Sequence, residues 1–458
     1  MISVLEKIYY RLPVILQNIT LSTYGLYIQK IRHGRQYNDF LHQVQCHLGL
    51  SKKDLEGIQW EIFRKLLADA KKNVSYYREV LKDIPIHEVR GVDDMQKLPL
   101  LEKEVLRTSP ESLIDERCEK EKLLLIHTTG TTGSPLKIYC TPDVRKKNYA
   151  FYNRFLLMAG LRYTDRRATF GGRIIVPPDQ PIPPFWRYSY FQKNLLFSSY
   201  HLRDETIESY IAKLRQYQPH YIDSYPSSLY TIALYSKKHG IDLKGITEGI
   251  TTSAETLFNE QRMVIEDAFG APVVDQYGAA EMCIFIGQCA QGRYHVHSDY
   301  AIVEFLREDG SKAIAGEEAE VVCTGLINPI MPLIRYRIGD KVVVSDEQCS
   351  CGCAFPVIRK VIGRADDVII TPEGNKVGRL SPVLKGFPVK EAQYLQDAIN
   401  AVTVRLVPDE GYSADTAQKI VVELRKRLGQ EIEIYVELVE RIDQGSGCKL
   451  KTIISTLT

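Results

Sequence analysis

The sequence predicts an α/β protein: a large unit with a helical lead-in and α/β sheets, followed by a small α+β unit at the C-terminal end. Three observations carry this expectation. At 458 residues the chain exceeds what a single hydrophobic core ordinarily holds, so at least two domains are expected. From Leu123 to Gly278, apolar runs of strand length alternate with amphipathic stretches of helix length. After Asp299 the long helical stretches give way to short strands and turns, and a new α+β pattern begins beyond Gly363.

The elements follow in order. The first thirty residues are rich in apolar side chains, but Glu6, Lys7, Arg11, Pro13 and Asn18 interrupt them too often for a membrane-spanning helix. No signal-peptide core with a small-residue cleavage site is present either. The stretch reads as a helix pair on the core, with an interfacial amphipathic segment as the other reading. Asp54 to Lys72 and Val74 to Leu81 carry apolar residues at three and four spacings and read as helices.

"LLLIHT" then reads as a strand, and Thr141-Pro142-Asp143 opens a helix that closes near Gly160. "ATFGG" and "NLLFSSY" are strands, Asp204 to Gln216 a helix, and "HYIDSY" a strand. A helix starts at Pro226-Ser227-Ser228, followed by the strand "GITTSAE", a helix ending at Phe269 and the strand "PVVDQYG". Helices that cross over between strands imply a parallel sheet. "YAIVEFL", "AEVVCTG" and "DKVVVSD" predict an antiparallel subdomain. The last unit shows "AVTVRLV", a helix near Ala414 to Leu428, and "EIEIYVELV".

Charge is nearly balanced, with 59 basic and 57 acidic side chains, so no nucleic-acid partner is implied. Most of the ten cysteines are scattered singly, the pattern of a reduced, cytoplasmic protein. There is no internal repeat or low-complexity tract.

Chemistry concentrates in a few stretches. "HTTGTTGSPLK", from His127 to Lys137, follows a strand with threonines and glycines, which gather backbone N–H groups and hydroxyls at one point. That suits a polyphosphate, and equally a plain loop; the Walker A spacing is absent. "QYGAAEM" (Gln276 to Met282) places an aromatic and a carboxylate after a strand. "YRIGD" (Tyr336 to Asp340) puts an aspartate after a Gly turn. "IGRADDVIITPEGNKV" begins at Ile362, and "GSGCKLKTIIS" begins at Gly445. "GGR" at Gly171 and "DSYPSSL" at Asp223 lie after strands, where open α/β sheets bind ligands. Each is weak alone, but their order along one chain is specific.

Taken together these motifs resemble the adenylate-forming superfamily of acyl-CoA synthetases and adenylation domains. Within it the chain is most similar to phenylacetate-CoA ligases and the related capsule-biosynthesis ligase-like proteins. The resemblance implies a large N-terminal adenylate-forming domain over residues 1–365 and a small, mobile C-terminal domain over 366–458 that carries a catalytic lysine. Thr128, Thr129, Gly130, Thr131, Thr132, Gly133 and Lys137 would then form the phosphate loop. Ser253, Ala254 and Glu255, with Gln276, Tyr277 and Gly278, would frame the adenine of ATP. Glu281 would hold Mg²⁺, Asp340 would bond the ribose hydroxyls and Arg364 would lie near ribose and phosphate. Asp366 corresponds to the hinge and Lys449 to the catalytic lysine; Cys448 replaces the glycine that usually precedes that lysine.

The resemblance implies an AMP-forming carboxylate ligase that activates a carboxylic acid with ATP and transfers the acyl group to coenzyme A. Transfer to an amine, forming an amide, is the alternative acceptor chemistry. A nucleotide-binding scaffold with a degraded site is the alternative class, against which Glu281, Asp340, Arg364 and Lys449 stand together.

A separate cluster joins "CAQGRYHVH" at Cys289 to "CSCGC" at Cys349. Short paired Cys and His segments are how closed zinc sites are built; buried thiols or a disulfide are the plainer readings. The resemblance to the ligase branch implies a structural zinc on Cys289, His295, Cys349 and Cys351, with His297 and Cys353 as competing donors.

Overall fold

The computed structural model describes residues 4–127, 136–177, 180–363, 368–374, 376–378, 380–384, 387–440, 442 and 453–457. The chain divides into two compact units, one of residues 8–126 and 137–363, the other of residues 1–7, 127–136 and 364–458.

The first unit opens with helices α1 (Val4–Arg11), α2 (Val14–Arg32), α3 (Arg35–Cys46), α4 (Lys52–Asn73), α5 (Ser75–Val80) and α6 (Lys103–Thr108). Ser51 caps α4 by accepting from the Asp54 N–H at 3.2 Å, and Leu55, Gln59, Phe63, Leu66, Leu67 and Ala70 form its buried stripe. Two short strands follow, β1 (Leu124–His127) and β2 (Lys137–Cys140). Helix α7 (Pro142–Met158) starts under a Thr141 cap with proline in its first turn.

A regular alternation comes next. It runs β3 (Arg167–Gly171), β4 (Trp186–Ser189), β5 (Asn194–Ser198), α8 (Asp204–Tyr217), β6 (Tyr221–Ser224), α9 (Pro226–His239), β7 (Gly249–Ser253), α10 (Asn259–Phe269) and β8 (Val273–Gly278). Gly240 and Gly270 end α9 and α10 in the left-handed conformation that glycine adopts without strain. The remaining strands of this unit are β9 (Phe285–Gln288), β10 (Tyr294–Val296), β11 (Ala301–Leu306), β12 (Glu318–Gly325), β13 (Tyr336–Val344) and β14 (Val357–Gly363).

These strands form one twelve-stranded sheet in the order β11-β12-β13-β14-β10-β9-β8-β7-β6-β3-β5-β4. Its centre is parallel, from β8 through β7, β6 and β3 to β5. The strands expected to make an antiparallel subdomain do pair antiparallel, from β11 to β14, and extend the same sheet. The short strands β9 and β10 bridge β8 to β14, so the hydrogen-bond ladder never breaks. Ile222, Ile250, Phe170 and Phe197 of the parallel centre are buried with Ile207, Ile211 and Leu214 of α8, Leu229 and Ile232 of α9, and Ile265 and Phe269 of α10. Each such side chain contributes about 1.5–3 kcal/mol when fully withdrawn from water.

One buried ionic cluster ties the helical lead-in to this body. Arg154 of α7, fully buried, grips Asp299 with both terminal nitrogens at 2.6 and 2.8 Å. His47 Nδ1 meets the same carboxylate at 2.7 Å, and the Val44 carbonyl accepts from Arg154 at 2.8 Å. Burial alone would raise the Asp299 pKa, but Arg154 and His47 hold it far below the ordinary carboxylate value.

The second unit holds the ribbon β15 (Val368–Ile370) and β16 (Lys376–Gly378). It continues with β17 (Val389–Ala398), β18 (Ala401–Pro408), α11 (Ala414–Leu428), β19 (Glu433–Leu438) and β20 (Ile453–Ser455). Its four-stranded sheet has the order β19-β18-β17-β20, and α11 lays Ile420, Leu424 and Leu428 against Tyr394, Val402, Val404 and Leu406. Gln396, fully buried, both donates to and accepts from the Ile370 backbone, which fixes the ribbon to this sheet.

Candidate active site

In the parallel centre, β5 lies on one side of β3 and β6 on the other, so the chain reverses direction across the sheet at β3. The loops leaving the carboxyl ends of such strands diverge and open a crevice. Here those loops are tied together. The Gly172 N–H donates to the Tyr225 hydroxyl at 2.8 Å, and the Tyr200 hydroxyl donates to the Gly172 carbonyl at 3.0 Å. A Cβ on Gly172 would stand 2.6 Å from the Tyr225 oxygen, so the approach requires glycine. The "GGR" and "DSYPSSL" stretches thus meet at one edge.

Ser253 ends β7 beside Gln276 of β8. Ala254 takes a left-handed φ of 68°, which turns Glu255 back so that its carboxylate accepts from the Ser227 N–H at 3.2 Å, in the first turn of α9. A carboxylate there is favoured by the helix dipole. Gly278 allows the Gln276 side chain to lie across the end of β8, since a Cβ would stand 2.5 Å from the Gln276 amide nitrogen.

Two segments then exchange bonds. Tyr277 of β8 donates its hydroxyl to Asp340 Oδ2 of β13 at 2.7 Å, while Tyr336 of β13 donates to Glu281 Oε1, just after β8, at 3.3 Å. Burial, and then the neighbouring carboxylate, pushes both tyrosine pKa values far up, so both remain hydroxyl donors. Glu281 is 6% exposed and has the Lys103 ammonium 3.9 Å away. Lys103 reaches it because Leu101 pairs with the backbone of Arg335 and Arg337 at 3.0 Å each, which clamps the segment before α6 to β13. Below this edge Asp275 is buried between the Thr252 and Tyr294 hydroxyls at 2.6 and 2.7 Å, and burial raises its pKa.

Of the other sequence-predicted residues, Lys137 is exposed at the start of β2. Thr128, Thr129, Gly130, Thr131, Thr132, Gly133, Arg364, Asp366, Cys448 and Lys449 lie outside the described residues. A cavity of about 380 Å³, lined by Asp165, Arg166, Gln218, His220 and Glu248 among others, lies at the opposite, amino-terminal edge of β3, β6 and β7, away from these groups.

The cysteine segments converge elsewhere on the sheet. Cys289 follows β9, and a turn with Gly292 at φ 72° brings the chain back into β10, where His295 is fully buried. Cys349 and Cys351 sit in the loop between β13 and β14. Cys289 and Cys349 Sγ are 3.7 Å apart, Cys351 Sγ lies 3.4 Å from His295 Nε2, and all four donors fall within 4.8 Å of one another. Tetrahedral zinc bonds of about 2.0–2.3 Å imply donor separations of roughly 3.5–3.8 Å, so this set fits the ion. Burial keeps the His295 pKa below its ordinary value, so the ring is neutral and able to ligate, and pushes the Cys351 thiol up to about 12. His297 is occupied otherwise: its Nδ1 is 2.7 Å from Arg154 Nη2 and its ring stacks on Phe355. Cys353 is not in the cluster.

A family model, the CapK C-terminal domain, matches residues 369–456. Protein CapK of Staphylococcus aureus is 29% identical over 468 residues, spanning 99% of this chain and all of that protein. Phenylacetate-coenzyme A ligase of Thermus thermophilus is 25% identical over 70% of this chain and 73% of its own length. The chain is thus similar along its whole length to the branch of the adenylate-forming ligase superfamily that holds CapK and the phenylacetate-CoA ligases. Its fold agrees with that of a solved 2-hydroxyisobutyryl-CoA ligase in complex with 2-HIB-AMP and CoA, at a TM-score of 0.61 and 16% identity over 89% of this chain and 91% of that one.

For this CapK-like ligase, sequence reasoning missed Lys103. It sits in "LEKEVL", which carries no motif and is separated from Glu281 by almost two hundred residues. Tyr336 lies within the quoted "YRIGD", but its partner was not legible.

Proposed function

We propose that this chain is an ATP-dependent, AMP-forming ligase that activates a carboxylic acid and transfers the acyl group to coenzyme A. The observation that supports it best is the reciprocal exchange of tyrosine-to-carboxylate bonds between Tyr277–Asp340 and Tyr336–Glu281. It orients two anionic groups at the edge of the parallel sheet where such folds bind nucleotides.

In this reading residues 1–365 form the large domain and 366–458 the small one. Asp340 bonds the ribose hydroxyls, Ser253, Ala254, Glu255, Gln276, Tyr277 and Gly278 frame adenine, and Thr128 to Gly133 with Lys137 take the phosphates. Mg²⁺ held by Glu281 would offset charge on the phosphate oxygens. The substrate carboxylate oxygen attacks the α-phosphorus, the bond to the β-phosphate oxygen breaks and pyrophosphate leaves. The acceptor sulfur then attacks the acyl carbon and AMP departs. Both steps gather negative charge, which Arg364 and Lys449 are suited to offset. Rotation about Asp366 lets one site serve both steps. Cys289, His295, Cys349 and Cys351 hold one structural zinc.

Transfer to an amine is the second reading. The CapK likeness runs the length of the chain and includes the C-terminal model, whereas the likeness to the Thermus ligase covers 70% of it.

Pyrophosphate exchange into ATP across a panel of carboxylic acids tests the first step. Acid-dependent exchange is expected, and its absence with every acid by folded, zinc-loaded protein refutes the reading. Product analysis with coenzyme A against amines then separates the two acceptors.

A further inference from the structure

Helix α2 is apolar nearly all round and turns part of that surface outward. Its buried residues are Gln17, Ser22 and Gly25, and they face the edge strand β4. Asn18 Oδ1 accepts from the Tyr188 N–H at 2.9 Å, and Ser22 Oγ accepts from the Tyr190 N–H at 3.0 Å. Gly25 lets the helix approach closely, since a Cβ there would stand 2.7 Å from Ser189 Oγ. These groups of α2 thus cover the open hydrogen-bonding edge of the sheet, which would otherwise invite pairing with another chain.

Much of the apolar surface of the helix is left outside. Ile15, Leu16, Ile19, Thr20, Thr23, Tyr24, Tyr27 and Lys30 share one side of the helix and all are exposed, Ile15 at 73% and Tyr27 at 60%. Tyr190 and Phe191, at the turn that Ser22 holds, are also exposed, at 61% and 51%, as is Ile8 of α1 at 54%. Exposed apolar side chains grouped in this way mark a docking surface.

Charge decides what docks. From Ile8 to Asn38 the chain carries Arg11, Lys30, Arg32 and Arg35 and no acidic residue. Arg11, at the end of α1 just before α2, and Lys30, in the last turn of α2, are both exposed. A second copy packed antiparallel on α2 would set Arg11 against Lys30 with no carboxylate to meet either. An anionic lipid surface meets both, and isoleucine and tyrosine are side chains suited to the depth of headgroups and upper acyl chains. No described helix is long and apolar enough to cross a membrane, so the association is at the surface.

We propose that the outer face of α2, with Ile8, Tyr190 and Phe191, docks the protein on an anionic membrane surface. The test uses the full chain and sedimentation with vesicles of phosphatidylcholine alone, or of three parts phosphatidylcholine to one of phosphatidylglycerol. Binding is expected to the mixed vesicles, to weaken with salt, and to fall by about tenfold or more in I15E/I19E and in R11E/K30E. Both variants should keep the wild-type melting curve. The charge pair leaves the apolar face intact, so the surface remains testable if I15E/I19E unfolds. No vesicle binding by the wild type, or wild-type binding by both folded variants, overturns the proposal. A concentration-dependent dimer dissolved by I15E/I19E overturns it too and assigns the face to a second copy.

Discussion

Replacing Tyr277 by phenylalanine isolates the role of Asp340. The substitution keeps the half-buried ring and deletes only the hydroxyl that donates to Asp340 Oδ2 at 2.7 Å. A hydrogen bond to a charged group contributes about 1.5–3 kcal/mol net. Part of that holds β8 to β13 and appears as lost stability. If about half serves to orient Asp340 toward the ribose, roughly 1 kcal/mol is lost from nucleotide binding, a rise in KM for ATP of about fivefold. The assay is pyrophosphate exchange with ATP and with its 2′-deoxy and 3′-deoxy analogues. The wild type should discriminate against the deoxy nucleotide whose hydroxyl meets Asp340, and Tyr277→Phe should narrow that difference, because a misdirected carboxylate loses less when the hydroxyl is absent. A folded variant with unchanged KM for ATP and unchanged discrimination refutes the assignment of Asp340 to the ribose.

Lys449→Ala should slow single-turnover adenylation by about two orders of magnitude or more while ATP still binds, since its charge acts mainly on the transition state; equal adenylation rates exclude it from the step. On the proposed two-step mechanism, Asp366→Pro should leave the first release of pyrophosphate near normal and strongly reduce acyl transfer, because proline would restrict the backbone at the proposed hinge; equal loss in both steps in a protein with a normal melt places the hinge elsewhere. Elemental analysis should find about one zinc per chain, and Cys289→Ser should lose metal and melt earlier without a selective loss of chemistry. Asp299→Asn should destabilise by about 3–5 kcal/mol, because Arg154 would remain buried with its charge uncompensated. The folded pKa of Asp299 is depressed, so the unfolded chain binds the extra proton between the two pKa values. Its contribution is present above the ordinary carboxylate pKa of about 3.9 and is lost as pH falls toward the folded value. A wild-type acid-unfolding curve that superimposes on that of Asp299→Asn contradicts this account.

The sequence by itself determined what local physics encodes. The Thr141-Pro142 start of α7, the Pro226 start of α9 and the span of α11 are all readable from caps and apolar spacing, as is the alternation that makes the sheet centre parallel. The motif stretches containing Glu281, Asp340 and the cysteine cluster were legible because their residue types stand close together in the chain.

Tertiary structure decided which groups meet and which face is buried. His297 and Cys353 were equal candidates as metal donors until packing gave His297 to Arg154. Lys103 faces Glu281 only because Leu101 is clamped to β13, a contact between distant segments that no local pattern reports. The short strands β9 and β10, of four and three residues, are too brief for a periodic signal, yet they join two sheets' worth of strands into one. Helix α2 is the clearest case. Its apolar residues lie nearly all round, so spacing alone does not say which side faces the protein. The Tyr188 and Tyr190 N–H groups at the edge strand β4 find acceptors in Asn18 and Ser22, and those bonds fix the side that faces the sheet, leaving Ile15, Leu16, Ile19, Tyr24 and Tyr27 outward.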